Sequence, residues 1–206
     1  MNIDGVMTVL SKMHERMDEQ KQYLTDLDNV IADGDHGINM AKGFAAVEQK
    51  LPQLADKDIG TVLKTVGTTL VSAVGGSAGP LYGTAFMKAG ALMAGRTEMG
   101  MAELIACLRA AVEGVMMRGK AVQGEKTMLD AMIPALEAME QANAAGLAAG
   151  EILSSGVAAA EKGVEFTKTI AATKGRASYI GERSIGHQDP GATSFTFLLD
   201  EIARAV

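Results

Sequence analysis

Residues 58–95, DIGTVLKTVGTTLVSAVGGSAGPLYGTAFMKAGALMAG, decide the fold. No charge interrupts them between Lys64 and Lys88, a span long enough to imitate a bilayer helix. Gly75, Gly76, Ser77, Gly79 and Pro80 stand in its middle, and Thr65, Thr68, Thr69, Ser72 and Thr84 dilute its flanks. Two buried helices joined by a glycine-rich loop explain that pattern better than one membrane helix. Asp58 suits the N-cap of the first, whose apolar side is Ile59, Val62, Leu63, Val66 and Leu70. Pro80 suits the first turn of the second, which runs to about Gly95. Few charges fall on any face of this pair, so these two helices are expected to be the most buried.

The helical period continues in both directions. Val6, Leu10, Met13 and Met17 give a first helix over about 4–24. Asn39, Met40, Phe44 and Val47 begin a second that stops before Pro52, since proline cannot extend the hydrogen-bond ladder. A fifth covers about 100–118, with Leu104, Ile105, Leu108, Val112 and Val115 inward. A sixth follows Thr127 as N-cap, with Pro134 inside it; a seventh runs from about Gly150 to Ala172; an eighth follows Pro190. No run of β-branched or aromatic residues alternates with polar ones, so strands are not expected. The prediction is an all-α fold: an eight-helix antiparallel bundle or barrel, with 1–206 as a single domain. Small residues such as Ala41, Ala45, Ala85, Ala89, Ala158 and Ala159 permit close approach of helix axes. Loops are expected at 26–37 and 173–189.

Composition narrows the function. The 206 residues are 48% apolar and 21% charged, which fits a globular chain and excludes intrinsic disorder. Cys107 is the only cysteine, so no disulfide scaffold forms within the chain, and its place on an apolar face makes it inert core. The net charge of −6 and the lack of a basic stripe or stacking aromatics argue against nucleic acid. Charges at Asp4, Lys12, Glu15 and Arg16 leave no apolar secretory segment, and no span suits a membrane. A cytoplasmic protein is expected.

The densest chemistry is LDNVIADGDHGIN, with Asp28, Asp33, Asp35 and His36. Three carboxylates so close repel one another, and a divalent cation removes the conflict; hard oxygen ligands suit Mg²⁺ or Ca²⁺. The spacing is not that of an EF-hand. Asp-Gly-Asp is also ordinary turn chemistry, and His36 can serve as a helix cap, so spacing alone leaves both readings open. His36-Gly37-Ile38-Asn39 opens a helix, whose free amides and positive dipole end attract phosphate. Gly75–Pro80 is a second glycine-rich helix start, without the Lys-Ser/Thr of a Walker A loop. Arg118–Asp130 reads mainly as a solvated interhelical loop. In Lys174–Gly191, Arg176 can act as a forked phosphate donor, and Asp189-Pro190-Gly191 opens another helix. His187 reads as a hydrogen-bonding loop residue, and the methionines fall at core spacing.

Four stretches together resemble one family. They are LTDLDNVIADGDHGINM (24–40), LPQLADKDIGTVLKTVGTTLVSAVGGSAGPLYGT (51–84), RGKAVQGEKTMLD (118–130) and KGRASYIGERSIGHQDPGATS (174–194). The family is the nucleotide-binding L subunit of dihydroxyacetone kinase (DhaL), and the likeness runs in order from about Leu24 to Thr193. It implies an eight-helix antiparallel barrel with the nucleotide at one end. It implies that Asp28, Asp33 and Asp35 hold two Mg²⁺ ions against the phosphates of ADP or ATP. By the same likeness His36, Gly37, Ile38, Asn39, Ser77, Ala78, Gly119, Met128, Arg176, Asp189, Pro190 and Gly191 contact the nucleotide.

The chain carries the L portion alone, which resembles the separate subunit of the phosphotransferase-system type. There, ADP stays bound, takes a phosphoryl group from a phosphohistidine on an M subunit and passes it to dihydroxyacetone held on a K subunit. The resemblance also leaves room for an ATP-exchanging kinase of a related ketose or tetrulose. A third reading is a regulatory module that docks on a transcription regulator. The sequence leaves open whether a homodimer forms.

Overall fold

The structure, a computed structural model, describes residues 1–206 and is all helical. Its helices are α1 (Ile3–Glu19), α2 (Lys21–Ile31), α3 (His36–Glu48), α4 (Ile59–Ala73), α5 (Ala78–Leu92), α6 (Met101–Gly119), α7 (Leu129–Ala144), α8 (Ala149–Thr167) and α9 (Pro190–Arg204). Short 3-10 turns occupy 51–53, 176–179 and 181–184, and the β content is one isolated bridge between Asn2 and Glu98. No helix is long and apolar enough to cross a membrane.

Nine α-helices replace the expected eight because the first is two. The chain turns at Gln20, where neither glycine nor proline signals a break, and half of the expected 26–37 loop is the second half of α2. Arg16, one turn before the break, is held to α9 by Asp200 (2.6 Å) and Glu201 (2.7 Å), and its guanidinium lies 5.6 Å above the Phe197 ring. At the other end of the chain, α8 stops at Thr167 rather than Ala172. The 173–189 segment is not a plain loop, since two 3-10 turns fill its middle.

Helix contacts follow chain order. α3 packs on α4, α4 on α5, and so on through α9, while α1 touches both α9 and α3; α2 lies against α3 and α9. One apolar cluster draws buried residues from every helix, among them Met17, Leu24, Phe44, Leu70, Tyr82, Val115, Leu129, Leu153 and Leu199. An apolar cavity of about 280 Å³ lies among α1, α5, α6, α7 and α9, lined by Met13, Phe86, Leu104, Met132 and Phe195 among others.

The α4–α5 pair forms the close antiparallel seam that its small residues allow. A Cβ on Gly67 would lie 2.7 Å from the Gly83 carbonyl, and one on Gly83 equally close to the Gly67 carbonyl. Asp58 caps α4 through the Thr61 amide (3.0 Å) and accepts from Gly95 N beyond α5 (3.0 Å), tying the seam at its open end. The pair is not the most buried in the fold, however; α7 and α9 bury more of their lengths. Its missing charges are replaced on the outer face by hydroxyls. Thr65, Thr68, Thr69 and Ser72 satisfy themselves on carbonyls of their own helix and so face solvent without a charged group.

Gly83→Val is expected to force the α4–α5 seam apart, because its Cβ would also stand 2.3 Å from Val71 Cγ2. Overpacking of this kind costs about 1–3 kcal/mol. Urea denaturation should show a lower midpoint; a midpoint equal to that of the parent protein would contradict the seam.

Candidate functional site

A second cavity, of about 520 Å³, opens where the starts of α3, α5 and α9 meet the end of α6 and the turn at 174–177. Each wall has a local cause. Asp28, on the last turn of α2, accepts hydrogen bonds through Oδ2 from the amides of Asp35 (2.9 Å) and His36 (3.1 Å). A carboxylate on one helix thereby caps the next and bends the chain through Asp33-Gly34-Asp35, with Gly34 at φ 72°. Asp35 itself makes no side-chain capping bond. Ligand oxygens of Asp28, Asp33 and Asp35 all lie within 4.8 Å of one another.

The glycine-rich turn supplies the second wall. Gly76 adopts φ 63°, and Ser77 precedes α5 without a side-chain capping bond, so the first amides of α5 have no side-chain partner. The third wall is α9, whose N-cap Asp189 accepts from Ala192 N at 2.7 Å. Burial pushes the Asp189 carboxyl up to about 7, helped by the Asp130 and Asp28 carboxylates and opposed by the Ala192 amide and Lys126.

His36 Nε2 lies 2.9 Å from Ser194 Oγ, which is 2.7 Å from the Tyr82 hydroxyl; both hydroxyls reach the Gly191 carbonyl. Burial lowers the His36 pKa to about 4, so its imidazole is neutral near pH 7. Arg176 reaches over from the 176–179 turn and pairs with Asp33.

Thirteen of the fifteen residues named from the sequence line this cavity: Asp28, Asp33, Asp35, His36, Asn39, Ser77, Ala78, Gly119, Met128, Arg176, Asp189, Pro190 and Gly191. Gly37 and Ile38 do not. Gly37 is buried against α2, where a Cβ would lie 2.0 Å from the Lys21 carbonyl, and Ile38 is exposed to solvent. Thr127 is not the N-cap of α7; Met128 is, and the Thr127 hydroxyl accepts from Leu129 N.

The reading of 118–130 as a solvated loop fails for two charges. Lys126 and Asp130 are both buried, and Asp130 accepts from Gly124 N (2.5 Å) and Thr127 N (2.8 Å). Sequence reasoning also missed Tyr82 and Lys174 on the cavity wall, and Ser194 behind His36. No local pattern marks Tyr82 or Ser194, which reach the site through tertiary contacts, whereas Lys174 lies two residues from Arg176 in the same stretch.

The arrangement is suited to a phosphorylated ligand carrying hard cations. Converging oxygens on an all-carboxylate donor set fit Mg²⁺, and helix starts beside them offer amides to phosphate. Arg118, Lys126, Lys174 and Arg176 add positive charge to the same walls.

The chain resembles known proteins in sequence and in fold. A DAK2 domain model matches residues 30–204. The chain is 44% identical to the protein named as the ADP-binding subunit DhaL of a PEP-dependent dihydroxyacetone kinase in Escherichia coli K12, over 97% of this chain and 95% of that one. It is 38% identical to the PTS-dependent counterpart of Lactococcus lactis, over 100% and 99% of the two chains. The fold resembles the dihydroxyacetone kinase of C. freundii solved with AMP-PNP and Mg²⁺, with a TM-score of 0.75 at 22% identity; 98% of this chain spans 34% of that one. The protein therefore belongs to the DAK2 domain family.

Asp189 makes one consequence measurable. A carboxyl that titrates near 3.8 when unfolded and about 7 when folded keeps its proton longer in the native state. Its contribution to stability is therefore greatest below pH 4 and is lost as pH rises to 7. Asp189→Asn keeps a capping oxygen but has no proton to lose. Without nucleotide or metal, its stability relative to the parent should rise by about 2–3 kcal/mol between pH 5 and pH 8. A difference that does not change with pH in thermal melts would contradict this.

Proposed function

We propose that this protein is the ADP-binding subunit of a phosphoenolpyruvate-dependent dihydroxyacetone kinase. In this role it carries a phosphoryl group, on a tightly held ADP, from a phosphohistidine on an M subunit to dihydroxyacetone on a K subunit. The observation that carries the proposal is the meeting of three carboxylates, within 4.8 Å, with the starts of α3 and α5 at one cavity. The near full-length likeness to subunits named as ADP-binding supports the same role.

In this reading Asp28, Asp33 and Asp35 hold two Mg²⁺ ions, which when bound neutralise phosphate charge. The chain's own groups do the rest. The positive end of the α3 dipole faces the phosphates, and the amides after Ser77 and Ala78 receive phosphate oxygens. The Asp33–Arg176 pair is a charge balance that the ligand takes over, the cation facing the carboxylate and the phosphate facing the guanidinium. Asn39, Gly119, Met128 and Asp189–Gly191 complete the nucleotide contacts. His36, neutral and bonded to Ser194, orients rather than abstracts a proton. The subunit needs no general base, because its task is positioning and charge neutralisation.

The closed sequence of helix contacts supports an antiparallel eight-helix barrel to which α2 is added, with the nucleotide at one end. One shared apolar cluster supports a single domain over 1–206. The free thiol of Cys107 suits the reducing cytoplasm, where we place the activity.

Reconstitution with the K and M subunits tests the reading. Dihydroxyacetone phosphate should form only when phosphoenolpyruvate and the general phosphotransferase proteins are supplied. Equal turnover with ATP alone would instead favour an ATP-exchanging kinase of a related ketose or tetrulose. Asp33→Asn should lower transfer at least about a hundredfold while circular dichroism keeps its helical signal. Parental turnover in that variant would reject Asp33 as a ligand.

A further inference from the structure

Lys126 adds charge to the cavity wall, yet its ammonium bonds only to backbone carbonyls. It is 1% exposed, and its Nζ donates to the carbonyls of Thr167 (2.6 Å), Ser184 (2.8 Å), His187 (2.5 Å) and Ile170 (3.3 Å). An ammonium has three N–H donors, so four acceptors share them and the bond is largely one of a cation among dipoles. Thr167 O belongs to the last turn of α8, the negative end of that helix. Burial lowers the lysine pKa, and the Asp189 and Asp130 carboxylates oppose that effect.

The four carbonyls bracket one loop. Thr167 and Ile170 lie at its start and Ser184 and His187 at its end. Between them the chain carries Arg176 to the cavity and into its pair with Asp33. Two further bonds close the same neck, from Gly186 N to Lys168 O (2.7 Å) and from Asp189 N to Thr167 Oγ1 (2.9 Å). Remove the ammonium and four carbonyl oxygens face one another in a buried site, with nothing to offset their repulsion. The backbone of Lys126 is itself held left-handed, at φ 60°, by the turn that Asp130 fastens.

We propose that Lys126 is a positioning residue for nucleotide binding: its ammonium closes the neck of the 167–187 loop so that Arg176 faces the phosphates and the Asp189–Gly191 helix start meets the nucleotide. The four-carbonyl cage accepts another small ammonium in its place. The proposal rests on the assignment of Arg176 and Asp189 to the nucleotide, and its test separates the two.

In Lys126→Ala, n-propylammonium is the fragment removed. Hydrogen–deuterium exchange without nucleotide should accelerate about tenfold or more across 168–189, while α1 and α4 keep parental rates. Affinity for ADP with Mg²⁺ should fall about tenfold. Propylammonium should restore both, 1-propanol neither, and the parent protein should respond to neither compound. Parental exchange across 168–189, no rescue by propylammonium, or equal rescue by propanol would overturn the proposal. If Lys126→Ala does not fold, Lys126→Met keeps the stem and removes only the charge. Accelerated exchange confined to 168–189 then supports the proposal, and unchanged exchange overturns it. A parent protein that binds no ADP would defeat the assignment of function, while the exchange measurement would still decide the loop.

Discussion

The bond from the Asp28 carboxylate to the first amides of α3 fixes the floor of the polar cavity. It joins two helices at a corner of four residues, aims the α3 dipole at the cavity, and leaves Asp33 and Asp35 on the same turn as the carboxylate that caps it. The cost is electrostatic. Three acidic groups share one small volume, and among them only Asp33 has a cationic side chain paired with it. A corner so built is stable alone only to the extent that amides and Arg176 offset the repulsion. It becomes balanced when cations arrive with a phosphorylated ligand. The rest of the fold serves to bring the starts of α5 and α9, the end of α6 and the turn at 174–177 to that corner.

Two supports keep those walls in place. The glycine seam between α4 and α5 sets where the Gly75–Ser77 turn stands, since the two axes can approach no closer than their backbones allow. On the opposite side, Lys126 and Asp130 organise the turn before α7 and bind the long segment after α8. Tyr82 and Met128 line both the polar cavity and the apolar one, so the two chambers share a partition of two side chains. Tyr82 holds its side of that partition through Ser194 and Gly191.

Much of this was legible in the chain. Period, proline and cap signals gave the helices from α3 onward, and Asp58, Pro80 and Pro190 stand at helix starts as read. The acidic turn and the glycine turn were each visible as local patterns, and the structure brings them to one cavity. What stayed hidden was tertiary. Gln20 breaks the first helix without a breaker residue, because Arg16 is drawn to α9. Asp28 looked like a loop residue, since its capping partners are not on its own helix. Gly37 looked like a ligand-facing glycine, but its missing side chain serves the contact with α2. Lys126 and Asp130 looked like surface charges because nothing near them in sequence announces four carbonyls arriving from residues 167–187.

Where divalent cations sit on this protein is decisive. A crystal grown with ADP and Mn²⁺, measured near the manganese edge, reads this directly. Two anomalous peaks are expected at bonding distance from carboxylate oxygens of Asp28, Asp33 and Asp35, with the diphosphate of ADP against them. Manganese bound elsewhere, or ADP seated away from the corner between α2 and α3, would contradict it.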